Sequence, residues 1–207
     1  MTPSGSDPGI AVLISGRGSN LQALIDADRL RQLGGSIALV VSNRPDAPGL
    51  TKAQDAGIPI RVVNHTDYAE RAAFERALVD VLRAADVSLV CLAGFMRLLG
   101  PTFLDAFPNA VLNIHPSLLP AFPGTNGAQQ AWTYGVKVAG ATVHLVTAEL
   151  DGGPIVRQAA VPVHDDDTPE TLAARILIEE HRIYADAVRD VLSGAWTIDG
   201  RRFVRRR

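Results

Sequence analysis

The chain has 207 residues, a formal net charge of −2, 47% hydrophobic and 20% charged residues, and a pI near 6.2. At about 100–200 residues per domain this is one domain, able to bury about 70% of its unfolded surface, and its composition excludes global disorder. The single cysteine, Cys91, excludes an intramolecular disulfide framework and the common zinc sites that need two or more thiolates.

After a flexible N-terminus over residues 1–9, the apolar runs 10–15, 37–42, 59–63 and 87–93 read as strands with helix-like segments between them. The clearest helix covers residues 68–85, where Phe74, Leu78, Val81, Leu82 and Ala85 recur at three- and four-residue steps. Such apolar strands alternating with helices predict an α/β fold. Its form is a Rossmann-like open, mostly parallel twisted sheet with helices on both faces. Cys91 falls within the fourth strand, where a buried, inert thiol is expected.

Residues 111–115, 138–146 and 155–163 read as three further strands and 169–192 as a long helix. Thr168 is its N-cap, Pro169 takes the first helical position, and Asp165, Asp166 and Asp167 read as helix-start charge in a surface loop. Asp199-Gly200 marks a hairpin. The arginine-rich run 201–207 reads as a solvated tail, so 194–207 form a C-terminal hairpin and basic tail. With no repeat and no break in composition, residues 1–207 form one domain. The slightly acidic balance offers no footprint for nucleic acid. The polar N-terminus lacks a signal-peptide pattern, and no apolar run approaches the roughly 20 residues of a membrane span. The expected location is cytoplasmic.

Three segments carry chemistry. The first strand runs into Ser15-Gly16-Arg17-Gly18-Ser19-Asn20-Leu21 and then a helix. Leu21 replaces the third glycine of a dinucleotide fingerprint, and the second strand ends Val41-Ser42-Asn43 without a carboxylate for a ribose diol. A monophosphate fits better, held by the amides of Gly18, Ser19 and Asn20 and by the Ser19 hydroxyl. The competing reading is a plain turn and helix cap. Next, Asn113 and His115 stand two apart on one strand and so project side by side. An amide donor beside an imidazole suits oxyanion stabilisation and proton exchange in acyl transfer, though a strand-end histidine is also often structural. Last, Asp151 in Glu149-Leu150-Asp151-Gly152-Gly153-Pro154 either orients His115 and favours its protonated form, or belongs to an ordinary turn. No Gly-x-Ser-x-Gly elbow is present, and the five histidines lack metal-ligand spacing, so no metal is expected.

Together with Ala93-Gly94-Phe95-Met96-Arg97-Leu98-Leu99 and Asn113-Ile114-His115-Pro116-Ser117-Leu118-Leu119-Pro120, these motifs, in this order, resemble the phosphoribosylglycinamide formyltransferase family over residues 10–188. The resemblance implies the formyltransferase fold. It also implies transfer of a formyl group from N10-formyltetrahydrofolate, the co-substrate, to the amine of phosphoribosylglycinamide in purine biosynthesis. Gly18, Ser19 and Asn20 match the loop that holds the substrate phosphate, and Glu180 matches a carboxylate on the ribose hydroxyls. Met96, Arg97, Leu98 and Leu99 match the folate-lining segment, and Arg71 a family arginine implicated in ligand binding. Thr147, Ala148, Glu149, Leu150 and Asp151 match the loop against the pterin. Asn113, His115 and Asp151 match the catalytic trio, with Asn113 and Asp151 also touching folate.

The chain departs from the family pattern at Asn126, where relatives commonly carry histidine, and at Leu177, where some carry a polar ribonucleotide contact. Partners are the small-molecule substrates, and monomer and homodimer both remain open. A formyltetrahydrofolate deformylase and a non-catalytic nucleotide- or folate-binding protein are the rival readings. The first normally carries an extra N-terminal domain, and the second need not keep the trio together.

Overall fold

The computed structural model describes residues 7–206. Its elements, in chain order, begin with β1 (Gly9–Ile14), α1 (Ser19–Arg29), β2 (Ser36–Ser42), α2 (Gly49–Asp55) and β3 (Ile60–Val62). There follow α3 (Arg71–Ala84), β4 (Val87–Leu92), α4 (Pro101–Leu104), β5 (Val111–His115) and α5 (Gly127–Tyr134). The chain closes with β6 (Val138–Leu145), β7 (Ile155–Pro162), α6 (Pro169–Leu192), β8 (Trp196–Asp199) and β9 (Arg202–Arg205).

Among the described residues, nine strands join one sheet in the order β3-β2-β1-β4-β5-β6-β7-β9-β8. β1 to β5 run parallel, β6 runs antiparallel to β5, and β7 antiparallel to β6. Alternate residues of β1 feed opposite cores. Ile10, Val12 and Ile14 pack under α1, α2, α5 and α6, whereas Ala11 and Leu13 pack under α3 and α4. That two-sided burial is why β1 and β4 read as unbroken apolar runs. Tyr184 of α6 is fully buried and donates its hydroxyl to the Leu92 carbonyl (3.0 Å), tying the longest helix to β4. Burial pushes the Cys91 thiol up to about 12, against a smaller pull downward from the Tyr184 hydroxyl. The thiol is inert at neutral pH.

Several boundaries differ from expectation. Residues 1–6 of the N-terminal stretch lie outside the described residues, and Gly9 already pairs with Ser36 and Val87. The helix expected from 68 begins at Arg71, because a 3₁₀ turn (His65–Asp67) precedes it and Tyr68 is extended. α6 has the expected bounds and cap: Thr168 and Thr171 form a capping box, with Pro169 in the first turn.

Two charged segments need correction. Asp167 is not loose surface charge. Its side chain is 3% exposed and accepts from both terminal nitrogens of Arg175, at 2.7 and 2.8 Å. Nor is the arginine-rich run a solvated tail throughout: β9 is a strand of the sheet, beside β7 and β8, and Arg205 pairs with Asp190 of α6. Arg207 lies outside the described residues.

Candidate active site

In an open α/β sheet, ligands bind beyond the carboxyl ends of the strands where the strand order reverses. Here β1 and β4 are neighbours at that point, and β5 lies beside β4. Three of the segments singled out above leave these strand ends: the glycine loop from β1, residues 93–99 from β4, and His115 at the end of β5.

At the glycine loop, Gly18 is the N-cap of α1, in the left-handed region (φ +67), and a Cβ there would lie 3.0 Å from the Gly49 Cα. No side chain caps α1. Its first-turn amides, including those of Ser19 and Asn20, therefore have no partner within the helix. Asn20 is buried and donates through Nδ2 to Glu180 Oε2 at 2.7 Å, while its Oδ1 is buried without a partner. The phosphate-loop and ribose candidates thus touch. Burial raises the Glu180 carboxyl above its ordinary range, and the Asn20 hydrogen bond only partly offsets it.

Ser15, at the end of β1, connects this loop to the next segment. It accepts from the Met96 amide (2.8 Å) and donates to Asn43 Oδ1 (2.5 Å). Met96 and Leu98 are exposed and Leu99 is buried in the smaller core. Arg97 is exposed. Arg71 lies against Glu75 (3.3 Å), whose buried carboxylate also accepts from the Gly100 amide at 2.7 Å. Arg71 therefore stands at the far end of the 93–100 segment.

His115 faces Asp151 directly, and Asn113 reaches it through His144. His115 is 4% exposed, and its Nε2 donates to the Phe122 carbonyl at 2.8 Å. A carbonyl only accepts, so that nitrogen carries a proton. Nδ1 faces Asp151 Oδ2 at 3.5 Å, beyond ordinary hydrogen-bond distance. Asp151 takes φ +49 within the turn closed by the Gly152 amide on the Glu149 carbonyl. Its Oδ2 also accepts from the Gly124 amide at 2.7 Å. Burial alone would raise the Asp151 carboxyl. His144, the Gly124 amide and the two imidazoles together outweigh that and hold it below the usual range. It is a carboxylate at neutral pH.

His144 is a member of this site that sequence reasoning did not single out. It lies on β6 directly opposite Asn113 in the antiparallel register. Its Nδ1 donates to the Leu145 carbonyl, and its Nε2 lies 3.2 Å from Asn113 Nδ2 and 3.6 Å from Asp151 Oδ1. The contact orients the Asn113 amide. The only signal in the sequence is a polar residue inside an apolar strand, and its meaning depends on register. The Phe122 carbonyl was likewise not singled out.

Thr147, Ala148, Glu149 and Leu150 are exposed. Gly153 is obligatory because a Cβ there would fall 1.8 Å from the Leu145 carbonyl oxygen. Asn126 is exposed, with φ +60 at the N-cap of α5, and its side chain makes no capping bond. Leu177 is half-buried on α6, one turn before Glu180 and His181. Among the described residues, no group of three or more His, Cys, Asp or Glu could hold a metal, and no helix is long and apolar enough to cross a membrane.

Comparison with known proteins gives a consistent result. The family model described as formyl transferase matches residues 9–188. The phosphoribosylglycinamide formyltransferase of Escherichia coli (strain K12) is 43% identical over 192 residues, covering 93% of this chain and 88% of that protein. The trifunctional purine biosynthetic protein adenosine-3 of Bos taurus is 50% identical over 186 residues, 90% of this chain. The chain spans 18% of that relative's length. The crystal structure of glycinamide ribonucleotide transformylase 1 from Symbiobacterium toebii matches with a TM-score of 0.96 and 51% identity, covering 100% of this chain and 98% of that one.

Proposed function

Because this chain belongs to the formyl transferase family, we propose that it moves a formyl group from N10-formyltetrahydrofolate to the amine of phosphoribosylglycinamide, a step of de novo purine (IMP) biosynthesis. The observation that carries the reading is the convergence of Asn113, His115 and ionised Asp151, with Asp151 Oδ2 3.5 Å from His115 Nδ1. Asn20 and Glu180 make one buried polar pair. The proposal takes residues 1–207 as one formyltransferase domain acting in the cytoplasm on small molecules.

Both substrates suit the residues present. Exposed apolar side chains at Met96, Leu98 and Leu150 flank the trio on two segments, a surface that a flat heteroaromatic ring would cover. Backbone groups of 96–99 and 147–151 supply hydrogen bonds at its edge, with Arg71 at the far end. At the other end the free amides of Gly18, Ser19 and Asn20 would hold the phosphate, and Glu180 would accept from ribose hydroxyls. The unpartnered Asn20 Oδ1 can accept there too.

The folate supplies an electrophilic formyl carbon. Attack by the substrate amine forms a C–N bond and places negative charge on the formyl oxygen. The Asn113 amide and the His115 ring stabilise that charge by hydrogen bonding, in place before it develops. Asp151 faces the His115 ring at 3.5 Å and is the station through which the amine proton leaves. As the bond to the folate nitrogen breaks, one proton is delivered to that nitrogen. No acyl-enzyme forms, because orientation and electrostatics suffice.

The test is tetrahydrofolate release from N10-formyltetrahydrofolate, followed by absorbance, with and without phosphoribosylglycinamide. Turnover only with the ribonucleotide, yielding a formylated product, is expected. Equal turnover without it, with formate released, would make the protein a deformylase. Ligand binding with no turnover would favour a binding protein.

A further inference from the structure

The β8–β9 hairpin lies outside the residues matched by the family model, yet its turn reaches the Asp151 loop. Arg201, in that turn, donates through one guanidinium nitrogen to Glu149 Oε2 at 3.2 Å and through the other to the Gly152 carbonyl. Glu149 and Gly152 are the two ends of the turn that holds Asp151 at positive φ. One guanidinium therefore bridges the turn from outside. Inside, Asp151 is held by a single short hydrogen bond, from the Gly124 amide, and by two longer contacts to His115 of β5 and His144 of β6.

The hairpin is a firm platform. Trp196 stacks on Phe203 with ring centroids 4.9 Å apart and donates to the Val191 carbonyl at 2.8 Å. Arg205 pairs with Asp190 of α6, and Arg202 meets Ile155 of β7 in the sheet. By contrast residues 147–150 are exposed and contribute little burial of their own to fix the loop.

We infer that Arg201 is a positioning residue, clamping the Glu149–Gly152 turn so that Asp151 faces His115 and His144. This rests on the proposed function, since it gives Asp151 its role. Both charged partners are largely exposed, at 72% and 66%. Such an ion pair adds little to global stability, so the effect falls on geometry rather than folding.

The experiment is R201A, with R201K beside it, in the full-length chain. A displacement of about 1 Å at a reacting group can cost about 10²-fold, and loosening one side of a turn should cost less, about tenfold in kcat. The melting temperature should stay within about 2–4 °C of the parent's, since an exposed ion pair adds little to the fold of a chain this size. R201K should recover part of the rate, since one ammonium can still hold the Gly152 carbonyl. The NMR ring signals of His115 and His144 should move in ligand-free R201A, a readout that needs no turnover. Parental kcat together with parental ring signals would overturn the inference. If the parent itself forms no tetrahydrofolate, the functional reading fails, while the ring signals still decide whether the clamp acts on Asp151.

Discussion

The Asn20 amide donates to the Glu180 carboxylate at 2.7 Å, joining the first turn of α1 to the middle of α6 across 160 residues of sequence. The pair is buried, and Glu180 is raised because burial disfavours its charge. A carboxyl whose native value lies above its unfolded one stabilises the fold fully below the unfolded value. That stability is lost as pH rises through the native value. At neutral pH an ionised Glu180 therefore costs stability.

Glu180→Gln should accordingly melt above the parent at neutral pH and lose that advantage in acid. If the carboxylate holds ribose hydroxyls, losing charge-assisted hydrogen bonds should raise KM for the ribonucleotide by about tenfold or more. The folate KM should change little. Paired melting curves and steady-state kinetics check both claims; an unchanged ribonucleotide KM would remove Glu180 from the ribose site.

If Asn113 and His115 are the oxyanion donors proposed, Asn113→Ala and His115→Ala should each lower kcat by about 10²–10³. His115→Ala also strands the Phe122 carbonyl, so its circular dichroism and melting curve should be recorded alongside. Near-parental turnover in either folded variant would refute the assigned roles.

Asp167 sets an acid limit on the fold. Arg175, with the His164 amide and the Thr171 hydroxyl, outweighs burial and holds its carboxyl well below the ordinary 3.8. A depressed carboxyl stabilises above its unfolded value and loses that contribution as pH falls towards the native one. Asp167→Asn should thus melt well below the parent at pH 7, with the gap closing as pH drops under about 4. Thermal melts at pH 7 and pH 3 decide the matter, and a gap of equal size at both would contradict it.

Much of the architecture was legible because it is local. The apolar runs of β1, β2 and β4, the period of α3, and the Thr168-Pro169 start of α6 each follow from the residues within one element. So does the pairing of Asn113 with His115, since residues two apart on a strand share a face. The short helices α2 and α5 were less legible, having only seven and eight residues over which a period can repeat.

The sequence by itself determined which segments alternate as strand and helix, where the glycine loop leaves β1, and which polar residues were available for chemistry. Only the tertiary structure decided which of them meet. His144 reaches Asn113 through the antiparallel register of β5 and β6, and Glu180 reaches Asn20 because α6 packs beside α1. Arg201 reaches the Asp151 turn because β9 joins the sheet beside β7. The physical reason is common to all three. Backbone preference and hydrophobic period act over a few residues, whereas register and helix placement are set by burying both faces of the whole sheet at once.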